Sequence, residues 1–197
     1  MGSDRLVGGI AVLAGGVAMT SVTSLAAFFA VGGPFGAIND WTVGILGLLT
    51  GLLAFGLSRR DRRTRWVPED VSTVIAIAGS AVVVVGSALV ISDTTGFLLA
   101  GLVESLGFAL IGVWLIVLSR SLRAAKLWPR RLSGLGILAG VVMATGFAAA
   151  PGIAMRLDDM ESAPGWVWFG FLGWLGIFFL FPLWTMWFGL GARRKPG

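Results

Sequence analysis

Six long apolar runs separated by short breaks decide what this chain can fold into: residues 6–31, 41–58, 71–91, 96–118, 132–151 and 166–190. A helix needs roughly 20 mainly apolar residues to cross a hydrocarbon core about 30 Å thick. Inside lipid the backbone must satisfy its own hydrogen bonds, which leaves helices and closed barrels. Barrel strands alternate apolar and polar residues over about ten positions, and these runs do not alternate. The breaks carry turn chemistry: Gly32-Gly33-Pro34, Ser92-Asp93-Thr94-Thr95 and Ala163-Pro164-Gly165. The expectation is an all-α polytopic membrane protein, a six-helix bundle of three hairpins in a single membrane domain over residues 1–197.

The charges orient it. Arg59, Arg60, Arg62, Arg63 and Arg65 fall in the 59–65 segment, and Arg120, Arg123, Lys126, Arg130 and Arg131 in the 120–131 segment. Arg193, Arg194 and Lys195 close the chain and Arg5 opens it, so fourteen of the fifteen basic residues share one side. The positive-inside rule makes that side cytoplasmic and places both termini there. Asp40, Asp93, Asp158, Asp159, Glu161 and the remaining cation, Arg156, fall on the other side. Abundant Arg and Ala with two Lys suits a high-GC bacterial source and hence a bacterial cytoplasmic membrane. A net charge of +5 and a pI near 11.3 would otherwise suggest nucleic-acid binding, but the cations sit between apolar runs, so no nucleic-acid partner is expected. The first run is long for a cleaved signal peptide and is read as a retained span. Trp41, Trp166 and Trp168 fall at predicted outer interfaces, and Trp66, Trp128, Trp184 and Trp187 at inner ones, where an indole meets both lipid and water. Trp174 lies deeper and reads as lipid-facing bulk.

Residue inventory narrows the chemistry. With no Cys and no His, thiolate chemistry, iron–sulfur clusters, His-ligated haem or zinc and Ser-His-Asp triads are excluded. No cofactor or metal site is implied, and the chain is read as non-enzymatic.

Small residues recur at helical spacing. Gly136, Gly140, Ala144 and Ala148 form a stripe on the fifth helix, with shorter versions at Gly47 and Gly51 on the second and at Gly101, Ser105 and Ala109 on the fourth. Such stripes let two helix backbones approach closely in lipid; the partner is a neighbouring helix or a second copy of the chain. Pro182 is expected to kink the sixth helix. Arg5-Leu6-Val7-Gly8 resembles Arg131-Leu132-Ser133-Gly134, hinting at a parallel repeat of the first and fifth helices.

Glu104 is the one ionisable residue well inside a predicted span. A carboxylate there is costly unless protonated, paired or facing water. It centres the candidate polar site, to which Thr20, Ser24, Ser80 and Ser87 are assigned as the lining of a narrow cavity. Thr20, Ser21, Thr23 and Ser24 can alternatively bond back to their own helix. In a structural role Glu104 is either protonated and hydrogen-bonded to a neighbouring helix or paired with Arg156 reaching in from outside. Asp158, Asp159 and Glu161 read as a solvated acidic loop without the ligand spacing of a calcium site. The 59–65 and 120–131 segments are candidate contacts for anionic lipid headgroups.

The stretch Leu127-Trp128-Pro129-Arg130-Arg131-Leu132-Ser133-Gly134-Leu135-Gly136 and the closing Phe181-Pro182-Leu183-Trp184 resemble a pattern common in uncharacterised bacterial six-helix membrane proteins. That group carries no assigned activity, so the resemblance implies topology alone. Function is expected to be that of an accessory or partner-binding component of a membrane assembly. The alternative is a small transporter or channel for protons, cations or a lipophilic molecule centred on Glu104.

Overall fold

All six apolar runs fold as helices, because a backbone among apolar side chains finds its hydrogen-bond partners only within itself. The computed structural model describes residues 2–60, 67–161 and 163–194. Of the residues read above, Arg62, Arg63, Arg65, Trp66 and Lys195 lie outside them. Helix α1 is Gly2–Val31, α2 Phe35–Arg60, α3 Val67–Ile91 and α4 Phe97–Ala124. The fifth span joins α5 (Arg130–Ala144) through a 3₁₀ turn, Thr145–Ala149, to α6 (Ala150–Ala154). The sixth joins α7 (Val167–Leu175) through a π-helical turn, Gly176–Leu180, to α8 (Phe181–Arg194). Among the described residues six helices are long and apolar enough to cross a membrane, and no strand is present.

Sequence explains the interruptions. Pro182 has no amide hydrogen to give the carbonyl four residues back, Phe178, and the wide turn sits directly before it. Gly32 and Gly33 both hold positive φ, +68° and +74°, so a very short turn reverses the chain between α1 and α2. Three other turns use a charged residue where glycine is usual. Asp93, Lys126 and Arg156 have φ of 53°, 57° and 53° and follow α3, α4 and α6. After each, the next amide reaches back to a carbonyl five residues earlier: Thr94 to Leu89 (3.0 Å), Leu127 to Leu122 (3.0 Å) and Leu157 to Gly152 (3.0 Å). This is the Schellman ending, with a strained side chain at its left-handed position.

Neighbouring spans run antiparallel and close into a circuit. Gly44, Gly47 and Gly51 of α2 face Ser87, Val83 and Ser80 of α3. A Cβ on Gly107 of α4 would lie 2.7 Å from the Gly79 carbonyl oxygen of α3. A Cβ on Gly112 would lie 2.6 Å from the Gly140 carbonyl oxygen of α5. Gly189 of α8 lies against Gly8 and Val12 of α1, which closes the circuit. The small-residue stripes thus serve contacts within the chain, where dispersion replaces the hydrophobic drive that lipid removes. The fifth-helix stripe breaks at Ala148. Gly136 and Gly140 press on α4 and Ala144 abuts Gly112, but the 3₁₀ turn tightens the winding and brings Gly146 and Ala149 to the interface instead.

Helix α4 is the central element: 61% of its most apolar stretch is buried, against 33–50% for the other spans. It packs on α3, α5, α6, α7 and the 3₁₀ turn. Outward-facing positions carry large apolar side chains such as Val74, Phe169 and Leu183, all more than half exposed. Such a surface suits hydrocarbon and not water. One end of the bundle carries the start of α1, the end of α8 and most of the described basic residues; the other carries Asp93, Asp158, Asp159 and Glu161. They are called the basic and acidic ends below.

Candidate functional site

Glu104 lies seven residues into α4 from Phe97, about 10 Å along the axis. It is 8% exposed, and the Ser87 hydroxyl of α3 donates to its Oε1 at 2.9 Å. Gly86 makes the meeting possible, since a Cβ there would stand 2.6 Å from the Glu104 Cγ. Ser87 in turn rests on Gly44 of α2. No second donor reaches the carboxyl among the described residues. In hydrocarbon such a group is stable with a proton or a cation bound.

Of the residues assigned to this site from sequence, Ser87 alone meets Glu104. Ser80 is buried two turns along α3, against Gly51, with no hydrogen-bond partner among the described residues. Thr20 is exposed and bonds back to the Gly16 carbonyl oxygen at 3.1 Å. Ser24 is buried but is satisfied by the Thr20 and Ser21 carbonyl oxygens, both at 2.9 Å. Thr20 and Ser24 line a separate, mainly apolar groove of about 410 Å³ between α1 and α2. Arg156 is exposed at its left-handed turn, and its side chain makes no ion pair among the described residues. The Schellman turn points the chain away from the bundle interior, which is why Arg156 does not pair with Glu104.

The polar residues that accompany Glu104 come from the start of α2. The apolar run suggests a helix from Trp41, but Gly32-Gly33-Pro34 is turn enough and the helix begins at Phe35. Asn39 and Asp40 therefore lie inside it. Asn39 is 4% exposed; its Oδ1 accepts from the Ser21 hydroxyl of α1 at 2.8 Å, and its Nδ2 donates to Asp40 Oδ1 at 3.5 Å. Asp40 and Asp93 also line a recess of about 390 Å³ at the acidic end, walled by Phe28, Trp41, Ile91 and Phe97. Asp40 thus joins Asn39 to the recess, while Glu104 lies outside its lining. An Asn just past a Gly-Gly-Pro turn, with a hydroxyl on the preceding helix to meet it, was the available signal.

Beyond Glu104 the interior changes character. Toward the basic end α4 buries Phe108, Ile111, Trp114 and Leu115, each at most 1% exposed. Trp184 sits edge-on to Trp114 (centroids 6.4 Å apart), tilted against Trp128 (5.6 Å) and stacked on Phe188 (5.7 Å, 10° between planes). Trp184 is fully buried, so it is a core residue and not the interface anchor its position suggested. Its Nε1 and the hydroxyls of Ser119 and Ser133 have no partner among the described residues, and Gly136 faces the first two. Trp174 is likewise no lipid-facing bulk: its Nε1 donates to Ser105 Oγ at 3.0 Å, and its ring packs on Gly101 and edge-on to Phe97 (6.2 Å).

The acidic loop also has a structural task. Asp158 accepts from the backbone amides of Gly96 (2.6 Å) and Leu99 (3.1 Å), capping the start of α4 from the loop between the last two spans. Among the described residues no cluster of three or more possible metal ligands occurs. Comparison with known protein families, characterised proteins and solved structures returns no match.

Proposed function

We propose that this chain is an integral membrane protein of a bacterial cytoplasmic membrane, with both termini cytoplasmic, that binds a proton or small cation at Glu104 from the outer side. The observation that carries the reading is the Glu104 carboxyl itself. It is buried and, among the described residues, held by the Ser87 hydroxyl alone, while Asp40 and Asp93 line a recess at the acidic end of the same bundle. A protein keeps an ionisable group at that depth at a cost of several kcal/mol, and such groups mark proton and ion sites in membrane proteins.

The apolar and aromatic filling between Glu104 and the basic end favours a component that takes up its ion from one side. It argues against a channel, which needs polar steps across the whole bilayer. This is the behaviour of a non-catalytic subunit working with a membrane partner, and transport by this chain alone would require the sixth span to move at its π turn. The test is proton uptake by purified protein after a pH step, read with a pH-sensitive dye. Wild type takes up about one proton per chain more than Glu104→Gln, as expected for one buried acid. Equal uptake by the two would refute the site.

A further inference from the structure

A second site lies at the basic end. Arg120 and Arg123 project from the last turns of α4, Lys126 stands in the turn and Arg130 opens α5; with Trp128 and Ile137 they line a recess of about 820 Å³. None of the four cations has an ion-pair or hydrogen-bond partner for its side chain among the described residues. Four like charges around one recess repel one another and call for an anion.

The walls say what kind of anion. Ile137 lies seven residues into the span from Arg130, about 10 Å along the helix. The recess therefore runs from a charged rim down an apolar flank. Trp128, held against Trp184 and Phe188 (centroids 5.6 and 5.1 Å away), gives a fixed indole wall at the level where headgroup meets acyl chain. A free anion needs no such flank, and an acidic protein segment would not extend along it. Lys126 occupies the left-handed position that glycine fills most cheaply, as Asp93 and Arg156 do at their turns, so its side chain can be removed there without straining the backbone.

We propose that this recess binds one anionic phospholipid, its phosphate among Arg120, Arg123, Lys126 and Arg130 and an acyl chain along Ile137. The inference rests on the membrane-spanning reading but not on Glu104, so either can fail alone. The experiment is lipid binding to the purified full chain, counted by native mass spectrometry and titrated with phosphatidylglycerol against phosphatidylcholine. Saturable retention of one phosphatidylglycerol is expected. Each cation removed lowers its affinity roughly fivefold, the worth of about 1 kcal/mol per Lys or Arg at an anionic surface. Arg120→Gln with Arg123→Gln therefore loses about 25-fold by the same rule.

Two further variants separate binding from folding. Lys126→Gly relieves the turn, so its unfolding temperature stays at or above that of wild type while lipid affinity falls. Ile137→Asn weakens phosphatidylglycerol without altering retention of inorganic phosphate. Lipid binding that never saturates, or that ignores all of these substitutions, would overturn the site. Equal competition by inorganic phosphate would show an anion site without a lipid's tail, and would overturn it too.

Discussion

The two ends of this bundle are held together by different chemistry. At the acidic end polar groups meet across helices: Ser21 with Asn39, Ser87 with Glu104, Asp158 with the start of α4. At the basic end aromatic rings do the packing, and three buried polar atoms, on Ser119, Ser133 and Trp184, have no partner among the described residues, against one at the acidic end, on Thr95. Polar pairs fix which helix rotation is correct, since a buried donor or acceptor left unmatched costs about 1–3 kcal/mol. Aromatic packing supplies contact area without that selectivity. The end with more matched polar groups is also the one with the buried acid, and the Ser87 pair holds Glu104 in register. The aromatic end closes the other side.

That contrast can be tested by substitution, each effect read as a change in unfolding free energy in one detergent. Trp184→Ala removes the ring on which Trp114, Trp128 and Phe188 all rest, and should destabilise most, by about 3–5 kcal/mol. Ser87→Ala leaves the Glu104 carboxyl without its hydrogen-bond donor and should cost about 1–3 kcal/mol. Asp158→Ala uncaps α4 and should cost about 1 kcal/mol, with faster amide hydrogen exchange at Gly96 and Leu99 as its local signature. Ser119→Ala deletes a hydroxyl with no partner among the described residues, and should stay within about 0.5 kcal/mol of wild type or be stabilising. If Ser119→Ala matched Ser87→Ala, the difference between the ends would disappear.

The helices were legible because length and apolarity are local properties of a run. Glu104 was legible because a lone acid in a span is conspicuous. What sequence did not reveal depends on helix rotation and on loop paths. Helix α2 is apolar on most sides, so the run alone did not show that Asn39 and Asp40 lie within the helix and toward α1 and α4. Asp158 caps α4 through the Gly96 amide, 62 positions earlier, a pairing no spacing rule connects. Arg156 seemed close enough for Glu104 on a linear map, yet its turn directs it outward. Ala148 fell out of its stripe because one 3₁₀ turn changes the register for everything after it. Trp174 and Trp184 were placed by depth alone, which says nothing about whether a ring faces lipid or a neighbouring helix.

The central claim is that Glu104 is a buried acid reached from the acidic end. The most direct test is labelling by a hydrophobic carbodiimide, which reacts with protonated carboxyls inside membranes, followed by peptide mass spectrometry. The protein is reconstituted in one orientation and pH is changed on one face at a time. Labelling at Glu104 should fall as pH rises on the acidic-end face, stay constant when only the basic-end face is changed, and vanish in Glu104→Gln. Labelling that follows the basic-end pH instead, or ignores both, would contradict the account.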